Sequence, residues 1–147
     1  MSKNSNSALF LIFISILLGQ PDSRFRPFDW VIYKGPGSIQ SITEGFTYAY
    51  IGTSSGGIKR FNIFGNYFED PITVAQGLNS NSIHAVHFDK NSGLLWIASP
   101  ENLQYSFSRE GDWYTISLNS LGLARSDRIK KIGNSTNYIW LQARSSF

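Results

Sequence analysis

Cysteine is absent from the 147-residue chain, and its absence removes several classes of protein at once. Without thiols there is no disulfide framework, no thiolate nucleophile and no cysteine-ligated metal or cluster. Lipid attachment through an N-terminal cysteine is excluded as well. An exported protein whose core is large enough needs no disulfides, so this absence does not indicate the cytoplasm.

Charged residues are also scarce, at 16% of the chain, and the formal net charge is only +3. The 13 Lys and Arg residues are scattered. A nucleic-acid-binding protein would concentrate them on one face, so we expect no nucleic-acid partner. A hydrophobic content of 41% indicates a globular chain rather than a disordered one, and the length admits one domain.

Aromatic residues and glycine, by contrast, are abundant. The chain has 11 Phe, 7 Tyr and 4 Trp together with 13 Gly, a composition typical of sheets joined by tight turns. No stretch beyond the N-terminal segment shows a sustained apolar period of 3.6 residues. The composition and the missing helical period predict an all-β fold.

The one long apolar run lies at residues 8–18, after a short polar leader that contains Lys3. A basic leader, about 7–15 apolar residues and a polar break form the pattern of a secretory signal, and the run is short for a membrane span. No A-x-A cleavage triplet follows it. We therefore expect residues 1–23 to be a signal peptide or an N-terminal apolar segment, with a core strand or an uncleaved anchor as the alternatives.

The rest of the chain, residues 24–147, repeats with a period near 45. An aromatic residue followed by a branched aliphatic recurs at intervals of 46 and 44 residues, at Tyr50, Trp96 and Trp140. Pairs of aliphatics three residues apart precede each one: Ile39 and Ile42, Ile83 and Val86, Ile129 and Ile132. The repeats extend over about 34–78, 79–122 and 123–147.

Each repeat contains the signals of four short strands, and the second copy shows them most clearly. We predict strands at residues 82–88, 94–99, 103–108 and 113–116, separated by turns at 89–93, 100–102 and 109–112. Four strands in every 40–50 residues are the signature of β-propeller blades. The prediction is a β-propeller fragment of four-stranded antiparallel blades, two of them complete and a third partial.

The repeat is out of phase with the chain. Residues 29–33 (Asp-Trp-Val-Ile-Tyr) match residues 112–116, an outer strand, yet they precede the first full copy. Propellers have about four to eight blades. We therefore expect either a truncated chain or several chains that assemble into one ring; in both cases an N-terminal outer strand would complete a blade that is not present.

The motifs of the second copy resemble the two-component regulator propeller repeat. The run Gly77-Leu78-Asn79-Ser80-Asn81-Ser82-Ile83, followed by Asp89, Gly93 and Leu95-Trp96-Ile97, carries the resemblance, which covers about residues 30–143. Residues 57–62 look like the glycine-led strand of the same repeat. Asn79 in place of proline and Ala98-Ser99 in place of Gly-Thr depart from it. The resemblance implies the periplasmic sensor portion of a membrane-bound regulator.

Three patterns could be taken for ligand sites. His84 and His87, with Asp89, are spaced for opposite faces of a strand and so do not favour a metal site. The run Asp89-Lys90-Asn91-Ser92-Gly93 opens like a calcium loop, but its glycine is fifth rather than sixth, which favours a hairpin turn. The run Ser54-Ser55-Gly56-Gly57 lacks the lysine of a phosphate loop.

The basic and aromatic residues have structural explanations as well. Arg125, Arg128, Lys130 and Lys131 form the densest basic cluster. Strand alternation places Arg128 and Lys130 on one face and Ile129 with Lys131 on the other, so a solvated edge explains the cluster better than an anion site. Asn134-Ser135-Thr136 is a formal glycosylation sequon that reads as turn chemistry. Trp96 and Trp140 recur at the same repeat position and are expected to pack between blades. Trp30 and Trp113 lie on predicted outer strands, where packing is expected and exposure is the alternative.

These patterns predict an exported, non-enzymatic segment in the periplasm or outside the cell, with no catalytic, cofactor-binding or metal-binding residues and no cofactor. Its expected role is ligand sensing or protein–protein interaction, as the N-terminal part of a larger sensor-like protein. The partner is an unknown ligand or protein, and contact with a membrane would come only through a missing C-terminal portion or an uncleaved leader. A stand-alone secreted or cell-surface interaction protein, and a propeller enzyme acting on carbohydrate, are the alternatives.

Overall fold

The computed structural model describes residues 35–107 and 112–144. Ten strands lie in these residues: β1 (Ile39–Glu44), β2 (Tyr48–Thr53), β3 (Ile58–Asn62), β4 (Tyr67–Ile72), β5 (Ala85–Asp89), β6 (Leu94–Ala98), β7 (Asn102–Ser106), β8 (Tyr114–Ser117), β9 (Arg128–Asn134) and β10 (Ile139–Arg144). Single 3₁₀ turns at Val74–Gln76 and Leu118–Leu121 end the first two groups of four. Nothing in the described ranges has the length and hydropathy of a membrane-spanning helix.

The strands form three antiparallel sheets in sequence order. The first blade is β1-β2-β3-β4, the second blade is β5-β6-β7-β8, and the third blade contains β9 and β10. The all-β fold of four-stranded antiparallel blades, two complete and one partial, is therefore confirmed. The strand bounds predicted for the second copy differ from the observed ones by up to three residues, and the largest difference is at the start of β5.

Several predicted features lie outside the described residues. These are the apolar segment 1–23, the outer-strand motif 29–33, most of the turn at 109–112 and the last three residues of the chain.

The inner strands β1 and β9 each contain a β-bulge. Ile39 pairs with Thr53 and Ser41 with Gly52, so Gln40 is an extra residue in β1. In the same way Ala143 pairs with Ile129 and Gln142 with Lys131, which leaves Lys130 as the extra residue in β9. A bulge shifts the alternation by one residue. In the first and third blades, aliphatics three apart consequently face the same side of the sheet.

This bulge corrects the assignment of faces made from alternation alone. Ile129 and Lys131 do not share a face, because Ile129 is fully buried at 0% exposure whereas Lys131 is exposed. Ile129 instead shares its face with Ile132, which is 7% exposed. Strict alternation fails here because Lys130 takes up the extra position.

The hydrophobic core lies between successive blades rather than within a single sheet. One cluster lies between the first and second blades; its members include Tyr50, Ile58 and Ile72 of the first blade and Ile83, Val86 and Ile97 of the second. A further cluster lies between the second and third blades and includes Ala85, Ala98, Leu103, Ile129 and Ile132. We call the side of a blade that packs on the preceding blade its upstream face, and the other side its downstream face. Each aliphatic pair belongs to an upstream face.

Glycine makes the closest approach between the first two blades possible. A Cβ on Gly52 would stand 2.9 Å from Cγ2 of Ile83 and 3.0 Å from Cγ1 of Val86. The equivalent residue of the second blade is Ala98, in the core with Ile129. A small residue on the downstream face thus accepts the aliphatic pair of the next blade, which explains why this position differs from its large neighbours.

Polar bonds join the inner strands of the first two blades where no sheet pairing exists. The Ser41 hydroxyl accepts a bond from the Val86 N–H at 3.2 Å, and the Thr43 hydroxyl accepts one from the Phe88 N–H at 3.1 Å. Glu44 and Lys90 form an ion pair at 3.2 Å. The hydroxyls satisfy backbone groups that would otherwise be costly to bury between blades.

Candidate ligand groove between the second and third blades

The turn between β5 and β6 is organised by the carboxylate of Asp89, which is only 8% exposed. Its Oδ1 accepts a bond from the Asn91 N–H at 3.0 Å, and its Oδ2 accepts one from the Ser92 hydroxyl at 2.5 Å. The Gly93 N–H closes the turn on the Asp89 carbonyl at 2.8 Å. The hairpin expected from this sequence is therefore built around a buried side chain.

Asn134, at the end of β9, ties this turn to the third blade. Its Nδ2 donates to Oδ1 of Asp89 at 2.7 Å, and its Oδ1 lies 3.0 Å from Nε2 of His87. Because the amide oxygen only accepts, Nε2 of His87 carries the proton of this bond. One amide thus connects two side chains of β5 to the next blade. Asn134 was noted in the sequence only as part of a sequon.

Local hydrogen bonds keep Asp89 ionised. The bond from the Ser92 hydroxyl is the main cause that lowers the pKa of Asp89, the Asn91 and Ser92 N–H groups lower it further, and the charge of His87 adds a smaller contribution. Partial burial opposes them. Because the folded pKa lies below the ordinary value of 3.8, Asp89 stabilises the fold above that pH and loses this contribution as the pH falls through its folded pKa.

Replacing Ser92 by Ala is expected to lower the free energy of unfolding by about 1.5–3 kcal/mol at neutral pH, because a hydrogen bond to a charged group is lost. The variant should also lose less stability on acidification below pH 3.8, since the pKa of Asp89 returns toward its ordinary value. Urea unfolding at successive pH values measures both effects. Ser135→Ala, an exposed serine in the facing turn, is the control; equal losses in the two variants would contradict the role of Ser92.

A groove of about 360 Å³ opens beside this network. The β5–β6 hairpin contributes Asn91, Ser92 and Trp96, among others, and residues 135–139 of the β9–β10 turn complete the lining. Ligand pockets for small molecules have volumes of roughly 300–1,000 Å³. The groove therefore has the size for a small molecule or a short peptide side chain, and two successive blades build it.

Aromatic and polar groups of the lining could contact a ligand. Tyr138 is 76% exposed, and the indole Nε1 of Trp96 is buried with no hydrogen-bond partner among the described residues. Trp96 is held by a ring stack on Tyr105, with centroids 4.6 Å apart. The rigid indole of Trp96 and the exposed phenol ring of Tyr138 suit the binding of an apolar or ring-shaped ligand surface. The side chains of Thr136 and Asn137 are available for hydrogen bonds with a ligand.

The two histidines lie far from a shared ligand position. His84 contacts Arg128 at 3.2 Å and His87 contacts Asn134, so the rings meet opposite ends of β9. The sequence predicted opposite faces of one strand; in fact β5 begins only at Ala85, and both rings turn to the third blade. In the described part of the chain no three His, Asp or Glu side chains converge as metal ligands.

The serine- and glycine-rich run before β3 is a turn. The Thr53 hydroxyl donates to the Gly57 carbonyl at 2.8 Å and accepts from the Gly56 N–H at 3.0 Å. Gly57 has a φ of +72°. The residues thus serve the chain reversal between β2 and β3.

Sequence reasoning missed Asn134, Asn137 and Tyr138 as site residues. Their contribution depends on the packing of two blades, and each is unremarkable within its own repeat. One signal was available: Asn134 follows Asp89 by 45 residues, one repeat period, so the two occupy nearly matching places on neighbouring blades.

Two four-stranded antiparallel sheets and a two-stranded one, packed face to face in sequence order, define the described part of the chain as a β-propeller-type repeat fold. It resembles a solved structure described as the extracellular domain of a hybrid two-component system from B. thetaiotaomicron. The TM-score is 0.59 at 13% identity, over 84% of this chain and 15% of that one. The likeness shows the fold, and the chain spans about 15% of the length of that structure. No protein-family model and no curated protein matches the chain.

Proposed function

We propose that the chain is an exported, non-enzymatic propeller segment that binds a ligand or a protein partner, as the N-terminal part of a larger sensor-like protein of the two-component regulator propeller type. The observation that carries the proposal is the groove between the second and third blades. Loops of two successive blades line the groove. Binding residues commonly lie on loops that a rigid scaffold holds in place. The fold of a two-component extracellular domain supports the sensor assignment and the periplasmic or extracellular location.

The chemistry of the groove supports binding rather than catalysis. Asp89 is the carboxylate of the lining, and both of its oxygens accept hydrogen bonds from the protein. A general acid or base must have a lone pair or proton within reach of the substrate. Asp89 instead holds a turn and a blade contact together, while the side chains left for a ligand are amides, hydroxyls and aromatic rings.

The upstream face of the first blade supports membership in a larger ring. Ile83 and Val86 are 0% and 4% exposed beneath the preceding blade, and Ile129 and Ile132 are 0% and 7% exposed. The equivalent pair of the first blade, Ile39 and Ile42, is 63% and 60% exposed. Since the repeat buries this pair wherever a preceding blade is present, we infer that a further blade covers Ile39 and Ile42.

Small-molecule screening of the chain by ¹H–¹⁵N NMR is the test of this function. We expect ligands to shift the indole N–H signal of Trp96 and the amides of residues 135–139, because these groups line the groove. Tyr138→Ala should weaken the binding of any such ligand at least about tenfold, the loss expected for a central aromatic contact.

Tyr67→Ala is the matched control, because Tyr67 is also an exposed tyrosine, at 52%, but lies on β4 of the first blade. Binding that survives Tyr138→Ala, or shifts that map away from the two turns, would overturn the assignment of the groove. Equal weakening by the two variants would do the same.

A further inference from the structure

A second polar cluster lies at the other end of β9 from the groove. The guanidinium Nη1 of Arg128 is 3.2 Å from Nε2 of His84, and Lys130, two residues further along β9, carries a charge that lowers the pKa of the same imidazole. Lys130 is the bulged residue of β9, and His84 and Gln40 occupy its place in the preceding repeats. β-Bulges commonly redirect a side chain next to a functional site.

We call the cluster of His84, Arg128 and Lys130 the cationic corner, because no carboxylate of the described residues forms an ion pair with its two cations. Arg60 and Lys90 are paired with Glu69 and Glu44, whereas neither Arg128 nor Lys130 has a carboxylate partner in the described residues. The neighbouring carboxylate, Asp127, accepts a bond from the Ala124 N–H at 2.8 Å within its own loop. The Arg128 guanidinium therefore contacts an imidazole with no carboxylate of the described residues to neutralise it, and Lys130 adds a second positive charge on the same strand.

The contact between Arg128 and His84 also fixes the protonation of the ring. A guanidinium can only donate, so Nε2 of His84 must accept and the proton lies on Nδ1. That Nδ1 atom is buried, and no described residue forms a hydrogen bond with it. Burial, followed by the charges of Arg128 and Lys130, lowers the pKa of His84 and keeps it neutral.

We propose that His84, Arg128 and Lys130 form a binding site for an oxyanion, either a tetrahedral phosphate-like group or a carboxylate of a ligand. The planar fork of Arg128 suits two oxygens of one such group, and the Lys130 ammonium adds a point charge. When the anion occupies Arg128, Nε2 of His84 is released, accepts a proton from solvent and donates it in a hydrogen bond to the anion. The site is separate from the groove and does not depend on the proposed function.

Proton uptake makes the proposal measurable, because anion binding must raise the pKa of His84 by linkage. The chain contains only two histidines, so two ring signals report the titration in ¹H NMR. His87 serves as the internal control, because it lies on β5 and contacts Asn134 at the far end of β9. Sulfate is the first probe because it remains doubly charged over the titration range, formate is the planar carboxylate probe, and chloride at equal ionic strength tests screening.

We expect sulfate to raise the pKa of His84 and chloride to have a smaller effect on it, while the ring signals of His87 show no response to sulfate. Arg128→Gln should abolish the response to sulfate, and it should raise the pKa of His84 without sulfate because a cation is removed. Lys131→Gln, an exposed lysine beside the site, is the matched control and should keep the full response. A response to sulfate alone assigns a tetrahedral group, and a response to both probes assigns oxyanions in general.

Three results would overturn the site. The first is no change of the His84 pKa with either probe. The second is an equal effect of chloride, which would mean that ionic screening alone changes the His84 pKa. The third is an equal loss of response in Arg128→Gln and Lys131→Gln, which would mean that the response depends on the net charge of the protein rather than on a specific site. The ¹H–¹⁵N spectrum of each variant establishes that the fold is intact before the titration is read.

Discussion

Replacing Ile83 by Ala is expected to lower the free energy of unfolding by about 2–5 kcal/mol, the usual cost of truncating a fully buried aliphatic side chain. Ile83 is 0% exposed and packs in the core between the first and second blades. Its Cγ2 lies against Gly52, where the backbone leaves no side chain that could swing in to fill the space. The cavity therefore persists, which places the loss in the upper part of the range.

Ile39→Ala is the control for this prediction, because Ile39 is the same residue at the same repeat position but is 63% exposed. Its replacement should change the stability by no more than about 0.5 kcal/mol. Chemical denaturation followed by tryptophan fluorescence measures both variants. Equal losses would mean that the preceding blade contributes nothing to the burial of Ile83, contrary to the inter-blade core.

Replacing Gly57 by Ala is expected to lower the free energy of unfolding by about 2–4 kcal/mol, the sum of a left-handed backbone penalty and overpacking. Gly57 has a φ of +72°, and a Cβ at this position would collide with the carbonyl oxygen of Ile72. A backbone oxygen at the end of a strand cannot move aside as a flexible side chain can. The expected effect is therefore larger than the backbone conformation alone would cause.

Gly93→Ala separates the two contributions. Gly93 has nearly the same φ, +75°, but a Cβ there meets nothing within 4 Å. It should cost only about 1–2 kcal/mol, the left-handed penalty by itself. Thermal or urea unfolding of the two variants gives the comparison. If Gly93→Ala costs as much as Gly57→Ala, the collision with Ile72 is not what makes Gly57 necessary.

The repeat was readable from the sequence because each blade satisfies the same packing requirements. Tyr50 and Trp96 lie in second strands, at β2 and β6, and the turns around Gly93 separate strands as their composition predicts. A period near 45 residues with four strand signals specifies the sheets before any contact is known. The aliphatic pairs, such as Ile39 and Ile42, were visible as well, although their three-residue spacing contradicts simple alternation.

Bulges explain that contradiction in β1 and β9, whereas in the second blade Ile83 lies before the first residue of β5. The bulges could not be located from alternation alone. A bulge is a local irregularity of backbone pairing, and Gln40 and Lys130 share no side-chain property from which it could be predicted. In retrospect, apolar residues three apart in a strand are its signal. The misplacement of Ile129 and Lys131 followed from applying a period of two across an extra residue.

The groove and the cationic corner were less accessible to sequence reasoning, because both depend on which residues of neighbouring blades meet. Asn134 contacts Asp89 across an interface, and Arg128 contacts His84 in the same way. Each pair is separated by about one period, at 45 and 44 residues. Composition locates none of these contacts, but the repeat period does once the blades are known to pack in order.

Successive blades pack through an aliphatic pair that is seated on a small residue of the preceding blade. Nuclear Overhauser spectroscopy tests this packing most directly at Gly52 and Ile83. The structure predicts a strong cross-peak between the Gly52 Hα protons and the Ile83 Cγ2 methyl group, since a Cβ on Gly52 would lie 2.9 Å from that carbon. Absence of this cross-peak, in a sample whose cross-strand signals between Tyr50 and Arg60 confirm the first blade, would contradict the packing.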